Sequence, residues 1–151
     1  MPTKTKADIL SRMNSYLAYL DTLEEDSINR KMKFCLEDYS LEELTITFSF
    51  KTGKWMLNPG GTVHGGIITT MFDIAMGVSA SAFSGCYPPT VNLSVAFLCP
   101  VPNDDEVVIT CRAAKVGSSF VQMTAQAKIK SSGTLCATAS GTFNNSGRQV
   151  I

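Results

Sequence analysis

The chain has 151 residues, of which 44% are hydrophobic, and its 13 basic residues balance its 13 acidic residues. This length and composition predict one folded domain with a substantial core, and they exclude an intrinsically disordered chain. A formal net charge of zero argues against a nucleic-acid-binding groove and against a polybasic membrane-binding patch.

The N-terminal segment has the pattern of an amphipathic helix. Over residues 6–23, apolar side chains recur at helical spacing, at Ile9, Leu10, Met13, Leu17 and Leu20. The first ten residues lack the apolar region and the cleavage motif of a secretory signal, so we expect a cytoplasmic protein. We expect residues 1–28 to form an N-terminal helix packed on a single domain of residues 29–151.

After this helix the period of the pattern changes from helical to alternating. Leu44, Ile46, Phe48 and Phe50 alternate with Ser and Thr, which predicts a strand with one buried face.

Charged residues are then almost absent over a long stretch. From Trp55 to Asn103, 49 residues contain one charged side chain, Asp73, and the single histidine, His64. Within this stretch, residues 64–83 are apolar almost all round, the pattern of a helix buried inside a protein. The run Ile67–Phe83 is shorter than the roughly 20 residues that cross a bilayer, and Asp73 interrupts it, so we expect no membrane span. A lone carboxylate in such surroundings is costly unless it has a use.

Four further alternating segments follow the buried helix. Turn residues separate them, so we expect antiparallel strands connected by hairpins. The segments are Val91–Cys99, Glu106–Val116, Val121–Ile129 and Leu135–Phe143. Two helices and five or six antiparallel strands predict an α+β domain whose sheet curls around the central helix.

The cysteines do not form a metal-binding or disulfide pattern. They are odd in number and contain no CxxC pair, so we interpret them as reduced, small core residues. With one histidine and no cluster of ligands, we also expect no metal site. The five cysteines are Cys35, Cys86, Cys99, Cys111 and Cys136.

A glycine-rich loop, residues 58–66, leads directly into the buried helix. Gly65 and Gly66 at the helix start offer free backbone N–H groups, close approach of a substrate, and the positive end of the helix dipole. Such groups stabilise an oxyanion during acyl transfer. The alternative is a tight turn in which His64 is a structural cap.

The spacing of His64 and Asp73 constrains how the two residues work together. Nine residues of helix place them roughly 180° apart around the axis and about 13–14 Å apart along it. They therefore cannot meet at one reacting atom within one chain. If both are catalytic, the site contains His64 from one subunit and Asp73 from another, as a symmetric dimer would arrange them. For Asp73 the alternative is a structural carboxylate held by hydrogen bonds.

Six residues of the loop and helix share a spacing that resembles the signature of hotdog-fold acyl-CoA thioesterases, in the branch of the phenylacetate-pathway and thioesterase-superfamily-member proteins. The resemblance covers roughly residues 44–143 and implies a long central helix wrapped by a curved antiparallel sheet. It implies hydrolysis of an acyl- or aryl-CoA to the free acid and coenzyme A. The matching residues are Asn58-x-x-Gly61-x-x-His64-Gly65-Gly66-x6-Asp73.

The resemblance also implies a role for each matched residue. Asp73 is the general base or the nucleophile, and the Gly65 N–H polarises the thioester carbonyl. Asn58 positions water or the reacting group, and His64 supports the thioester oxygen or the loop geometry. Thr90, just after the central helix, helps to orient water.

Two further glycines and the assembly follow from the same resemblance. Gly61 and Gly66 are expected to line the substrate-binding loop. No metal and no separate cofactor are implied, because coenzyme A is part of the substrate. The resemblance implies self-association as a dimer and as a dimer of dimers, with no nucleic acid or membrane as partner.

Two other functions remain open at this stage. One is a non-catalytic acyl-CoA-binding hotdog domain, and the other is a hotdog hydratase or dehydratase acting on enoyl thioesters. The presence of both Asn58 and Asp73 argues against a pure binding domain, and the loop-to-helix spacing argues against the hydratase. The sequence does not identify the acyl group. It also leaves open whether Asp73 acts as a nucleophile or as a general base.

Overall fold

The computed structural model describes residues 5–147, in which one long helix packs against a six-stranded antiparallel sheet. Residues 1–4 and 148–151, which our domain prediction includes, lie outside the described residues, and the division at residue 28 stays a prediction. The helices are α1 (Lys6–Leu20), α2 (Ile28–Lys31) and α3 (Gly65–Ser84). The strands are β1 (Phe34–Ser40), β2 (Thr45–Lys51), β3 (Thr90–Phe97), β4 (Glu106–Val116), β5 (Phe120–Ile129) and β6 (Leu135–Asn144).

The strand order in the sheet is β1-β2-β4-β5-β6-β3, with every neighbouring pair antiparallel. The expected α+β architecture is confirmed, but one connection differs from our prediction. Strands β4, β5 and β6 are joined by hairpins, whereas β3 pairs with β6 and not with β4. The reason is that β2 and β5 occupy the two edges of β4 and leave no place for β3 there.

The core lies between α3 and the inward face of the sheet. Strand β5 alternates strictly between exposed and buried residues, as its sequence predicts. Helix α3 contacts five strands, β2 to β6, and eleven of its residues are buried. Phe72, Met71 and Met76 are fully buried among them. The buried position of α3 follows from its apolar residues on all sides.

Helix α1 begins with a capping box, because the side chains of Thr5 and Asp8 each accept a hydrogen bond from the other residue's backbone N–H. It ends at Leu20 and not at the expected residue 23, since the Thr22 hydroxyl donates to the Tyr19 carbonyl oxygen at 2.7 Å. Arg12 anchors α1 on the C-terminal end of α3 by donating to the Ala82 carbonyl oxygen at 3.0 Å. This cation also complements the negative end of the α3 dipole.

Both edge strands depart from a simple alternating pattern. The sequence pattern did not single out β1, because a register shift between Leu36 and Asp38 interrupts its alternation. We expected β3 to bury every second side chain, but Leu93 and Val95 are only half-buried, and Val91 and Phe97 are 56% and 53% exposed. Strand β3 therefore presents apolar side chains at the edge of the sheet.

The expectation for the cysteines needs correction, whereas the expectation of no membrane span stays a prediction. Cys111 and Cys136 are buried core residues, but Cys35 is exposed and Cys86 and Cys99 are half-buried. Helix α3 spans 20 residues, so by length and composition alone one helix among residues 5–147 is long and apolar enough to cross a membrane. Of its most apolar window, 61% is buried inside the protein, as in the core helix of a folded domain.

Candidate active site

Asn58 organises the loop that precedes α3. Its side-chain Oδ1 accepts hydrogen bonds from the N–H groups of Gly60 (2.9 Å) and Thr62 (3.3 Å), and its Nδ2 donates to Thr62 Oγ1 at 3.0 Å. Gly61 has a φ of 80°, a conformation that favours glycine. The Asn58 amide therefore holds the loop closed and keeps one N–H for another acceptor.

The start of α3 leaves one backbone donor without an acceptor. His64 is the N-cap, and its Nδ1 accepts from the Gly66 N–H at 3.0 Å. Its carbonyl oxygen accepts from the N–H groups of Ile67 and Ile68. The Gly65 N–H has no acceptor among residues 5–147, so it is free to bind an oxyanion at the positive end of the helix dipole.

The exposed His64 ring is oriented by the same contact. Because Nδ1 accepts a hydrogen bond from the Gly66 N–H, the proton of the neutral ring lies on Nε2. Nε2–H is thus a second donor at the start of α3. The structural cap and the catalytic role considered for His64 are compatible, since the cap uses only Nδ1.

The ring of Phe97, at the end of β3, lies directly over Gly65. A Cβ atom at Gly65 would approach Phe97 Cζ to 3.3 Å, closer than most such contacts. Gly65 therefore lets the end of β3 pack against the start of α3.

Asp73 and Thr90 form a second cluster, on the third turn of α3. The Thr90 hydroxyl, at the start of β3, donates to Asp73 Oδ1 at 2.7 Å. The Asp73 carboxylate is half-buried, and Oδ2 makes no hydrogen bond with residues 5–147. This arrangement fixes the carboxylate and leaves one oxygen to take a proton or to attack a carbonyl.

A cavity of about 290 Å³ opens beside this carboxylate. It is lined by residues that follow Asp73 along α3, and by residues from α1, from α2 and from the loop before β3. Its lining residues include Asp73, Gly77, Ser81, Tyr16, Asn29 and Tyr87.

The seven site residues predicted from sequence fall into two groups at different places along α3. Five lie in the loop or at the first turn: Asn58, Gly61, His64, Gly65 and Gly66. The other two, Asp73 and Thr90, contact each other beside the cavity, which none of the first group lines. One chain therefore does not bring the two groups together, as the spacing of His64 and Asp73 predicts.

Comparison with known proteins places the chain in a family. The family model described as the thioesterase superfamily matches residues 60–136, which include the start of α3, Asp73 and Thr90. A Pseudomonas aeruginosa protein that carries the name of an esterase is 31% identical over 114 residues, covering 74% of this chain and 81% of the relative. The chain belongs to the thioesterase superfamily.

Solved structures support the hotdog fold of this chain. The Escherichia coli PaaI protein from the phenylacetic acid degradation operon is 14% identical, with a TM-score of 0.83 over 98% of this chain and 100% of that chain. A hypothetical thioesterase of Streptococcus pneumoniae, solved with coenzyme A, is 20% identical, with a TM-score of 0.70 over 78% of this chain and 92% of that chain. The predicted resemblance to phenylacetate-pathway thioesterases is confirmed.

Sequence patterns do not single out the cavity residues that come from outside α3. Tyr16 is half-buried, and burial, together with the nearby Tyr87, Tyr19 and Asp73, raises the pKa of its hydroxyl to about 12. The helical pattern that places Met13 and Leu20 on the inner face of α1 also places Tyr16 there. No local pattern indicates that Asn29 and Tyr87 meet it.

Proposed function

We propose that the protein is an acyl-CoA thioesterase that hydrolyses an acyl- or aryl-CoA to the free acid and coenzyme A. The observation that carries this proposal is the Asp73 carboxylate, oriented by Thr90 and facing a cavity large enough for an acyl group. Membership of the thioesterase superfamily supports the reaction class. The Streptococcus pneumoniae structure with coenzyme A supports the substrate class.

In the proposed reaction, Asp73 either removes a proton from a water molecule that attacks the thioester carbon or attacks that carbon itself. The carbonyl oxygen becomes an oxyanion, which the free Gly65 N–H and the His64 Nε2–H stabilise. Collapse of the intermediate breaks the C–S bond, and the thiolate of coenzyme A leaves and takes up a proton. When Asp73 is the nucleophile, water then hydrolyses the acyl-aspartyl intermediate.

The site requires a second copy of the chain, because Gly65 and Asp73 lie eight residues apart on α3. Strand β3 runs between the two clusters, since Thr90 at its start contacts Asp73 and Phe97 at its end covers Gly65. Antiparallel pairing of two β3 edges would place the start of one strand opposite the end of the other. The Asp73 of each chain would then face the Gly65 of its partner, giving two identical sites.

The exposed side chains at this edge support a dimer. Val91, Phe97 and Leu98 are each more than half exposed in the single chain. An unpaired apolar edge strand is a ready template for pairing with another chain. The resemblance to hotdog-fold thioesterases implies a dimer of dimers, which we include in the proposal.

The experiment is release of free thiol from a panel of acyl-CoAs by the wild type and by Asp73→Asn and Asp73→Ala. We expect hydrolysis by the wild type and a loss of at least about a hundredfold in kcat/KM for both variants. Asp38→Asn is the matched control, since Asp38 is exposed on β1 and does not line the cavity.

Each outcome distinguishes between the functions considered. Full activity of Asp73→Asn would contradict the proposed mechanism. Binding of acyl-CoAs without hydrolysis would indicate a non-catalytic binding domain. Hydration of an enoyl-CoA in place of thiol release would indicate a hydratase.

A further inference from the structure

The cavity beside Asp73 extends along α3. Asp73, Gly77 and Ser81 line it and are spaced four residues apart, so they share one face of the helix. Eight residues of α-helix span about 12 Å, which sets the length of this wall. Asp73 marks the reacting end, because Thr90 holds its carboxylate there.

Tyr16, on α1, also lines the cavity. Its helix is fixed on the protein by the buried residues Ile9 and Met13 and by Arg12, which donates to the Ala82 carbonyl oxygen at 3.0 Å. The Tyr16 ring also packs against Phe34, with ring centroids 6.4 Å apart. Tyr16 is therefore a firmly placed wall of the cavity.

The Tyr16 hydroxyl is available to a ligand. It makes no hydrogen bond with any residue in the range 5–147, although the ring is half-buried. Burial raises its pKa to about 12, so the hydroxyl stays protonated at neutral pH and remains a donor. The hydroxyl oxygen is not fully buried, so a ligand acceptor would replace water as its partner.

The size of the cavity limits the acyl group. A cavity of about 150 Å³ holds a benzene molecule, and the cavity here is about 290 Å³. It therefore has room for a ring with a short linker or for a medium-length acyl chain. A palmitoyl chain is longer than the wall from Asp73 to Ser81, which spans about 12 Å, so it would extend beyond this cavity. The Asp73 carboxylate disfavours an acyl group with a second negative charge.

We propose that Tyr16 is a specificity-determining residue, which restricts the acyl pocket to compact, uncharged acyl groups and binds a polar group at their far end. This inference rests on the proposed thioesterase function. Asn29, which also lines the cavity, adds an amide donor and acceptor. The N-terminal helix thereby becomes part of the substrate-binding site.

The test compares kcat/KM for hexanoyl-CoA, ω-hydroxyhexanoyl-CoA and palmitoyl-CoA. The wild type should prefer the ω-hydroxy substrate and discriminate against palmitoyl-CoA. Tyr16→Phe should reduce the preference for ω-hydroxyhexanoyl-CoA over hexanoyl-CoA by roughly fivefold to tenfold, since it removes only the hydroxyl. Tyr16→Ala should raise the palmitoyl-to-hexanoyl ratio by about tenfold or more, since it removes the wall.

Tyr19→Ala is the matched control, because Tyr19 lies on the same helix, is 57% exposed and does not line the cavity. It should leave both substrate ratios unchanged. The inference is overturned if Tyr16→Phe and Tyr16→Ala keep the wild-type ratios, or if the wild type prefers palmitoyl-CoA. Tyr16→Phe keeps the ring, so it remains informative even if Tyr16→Ala fails to fold.

The inference and the proposed function can fail separately. If the wild type hydrolyses none of the three thioesters, the proposed function fails, and calorimetric titration with the same three compounds tests the pocket alone. Tighter binding of palmitoyl-CoA by Tyr16→Ala than by the wild type would still support the Tyr16 wall. Equal binding by both proteins would contradict it.

Discussion

Thr90 is the side chain that orients the Asp73 carboxylate, through a hydrogen bond of 2.7 Å. Because it donates to a charged acceptor, its loss should cost more than that of a neutral hydrogen bond. We predict that Thr90→Val, which keeps the shape of the side chain, lowers kcat/KM for thioester hydrolysis roughly tenfold to a hundredfold.

Steady-state kinetics with two further variants checks the reason for this loss. Thr124→Val is the matched control, since Thr124 is an exposed strand threonine on β5, and it should keep wild-type activity. The double variant Asp73→Asn with Thr90→Val should be no worse than Asp73→Asn alone, because Thr90 acts through Asp73. Additive losses in the double variant would count against this positioning role.

At the scale of elements, the loop of residues 58–66 determines where the N-terminus of α3 lies. Gly61 and Gly133 offer a matched pair, because both have positive φ, 80° and 69°, and a Cβ atom at either would meet nothing within 4 Å. Alanine at either position therefore adds backbone strain alone, worth about 1 kcal/mol of unfolding free energy.

We predict that Gly61→Ala and Gly133→Ala lose similar stability in chemical denaturation but differ in activity. Gly61→Ala should reduce kcat/KM, because it displaces the loop that leads to Gly65. Gly133→Ala lies in the β5–β6 turn and should keep the wild-type kcat/KM. Equal activities of the two variants would indicate that the loop does not shape the reacting site.

The elements themselves are largely predictable from local patterns. His64 as a cap and the apolar residues after it predict α3 nearly to its ends, and alternation predicts β5 and β6. Strand pairing is not predictable in this way, because alternation carries no information about which strand lies beside which. For this reason the pairing of β3 with β6 was not predictable from the sequence.

The candidate site is likewise predictable only in part from the sequence. The loop and Asp73 share one continuous segment, so their spacing alone predicts that they occupy separate places along the helix. The cavity combines Tyr16, Asn29, Asp73 and Tyr87, which are far apart in sequence, so only the folded chain brings them together.

At the scale of the whole molecule, the β3 edge should govern association. We predict that the wild type has the mass of a dimer or of a dimer of dimers in light scattering. Val91→Glu combined with Leu98→Glu should shift it toward monomer, since like charges would meet at the paired edges. Loss of activity should accompany this shift if two chains share each site.

Phe120→Glu is the control for the edge variants. Phe120 is 48% exposed, close to the 56% and 55% of Val91 and Leu98, but it begins β5 and lies away from the free edge of β3. It should keep the wild-type mass. Loss of association in Phe120→Glu, with the edge variant unchanged, would place the interface elsewhere.

The most direct test of a thioesterase site shared by two chains is complementation between inactive subunits. Asp73→Ala removes the carboxylate, and Asn58→Ala loosens the loop that presents Gly65. A mixed dimer of these two variants contains one wild-type site, formed by Asp73 of one chain and the loop of the other. After subunit exchange in equal amounts, we predict thiol release at about a quarter of the wild-type rate. No recovery of activity, with mixed dimers demonstrated by mass, would contradict the shared site.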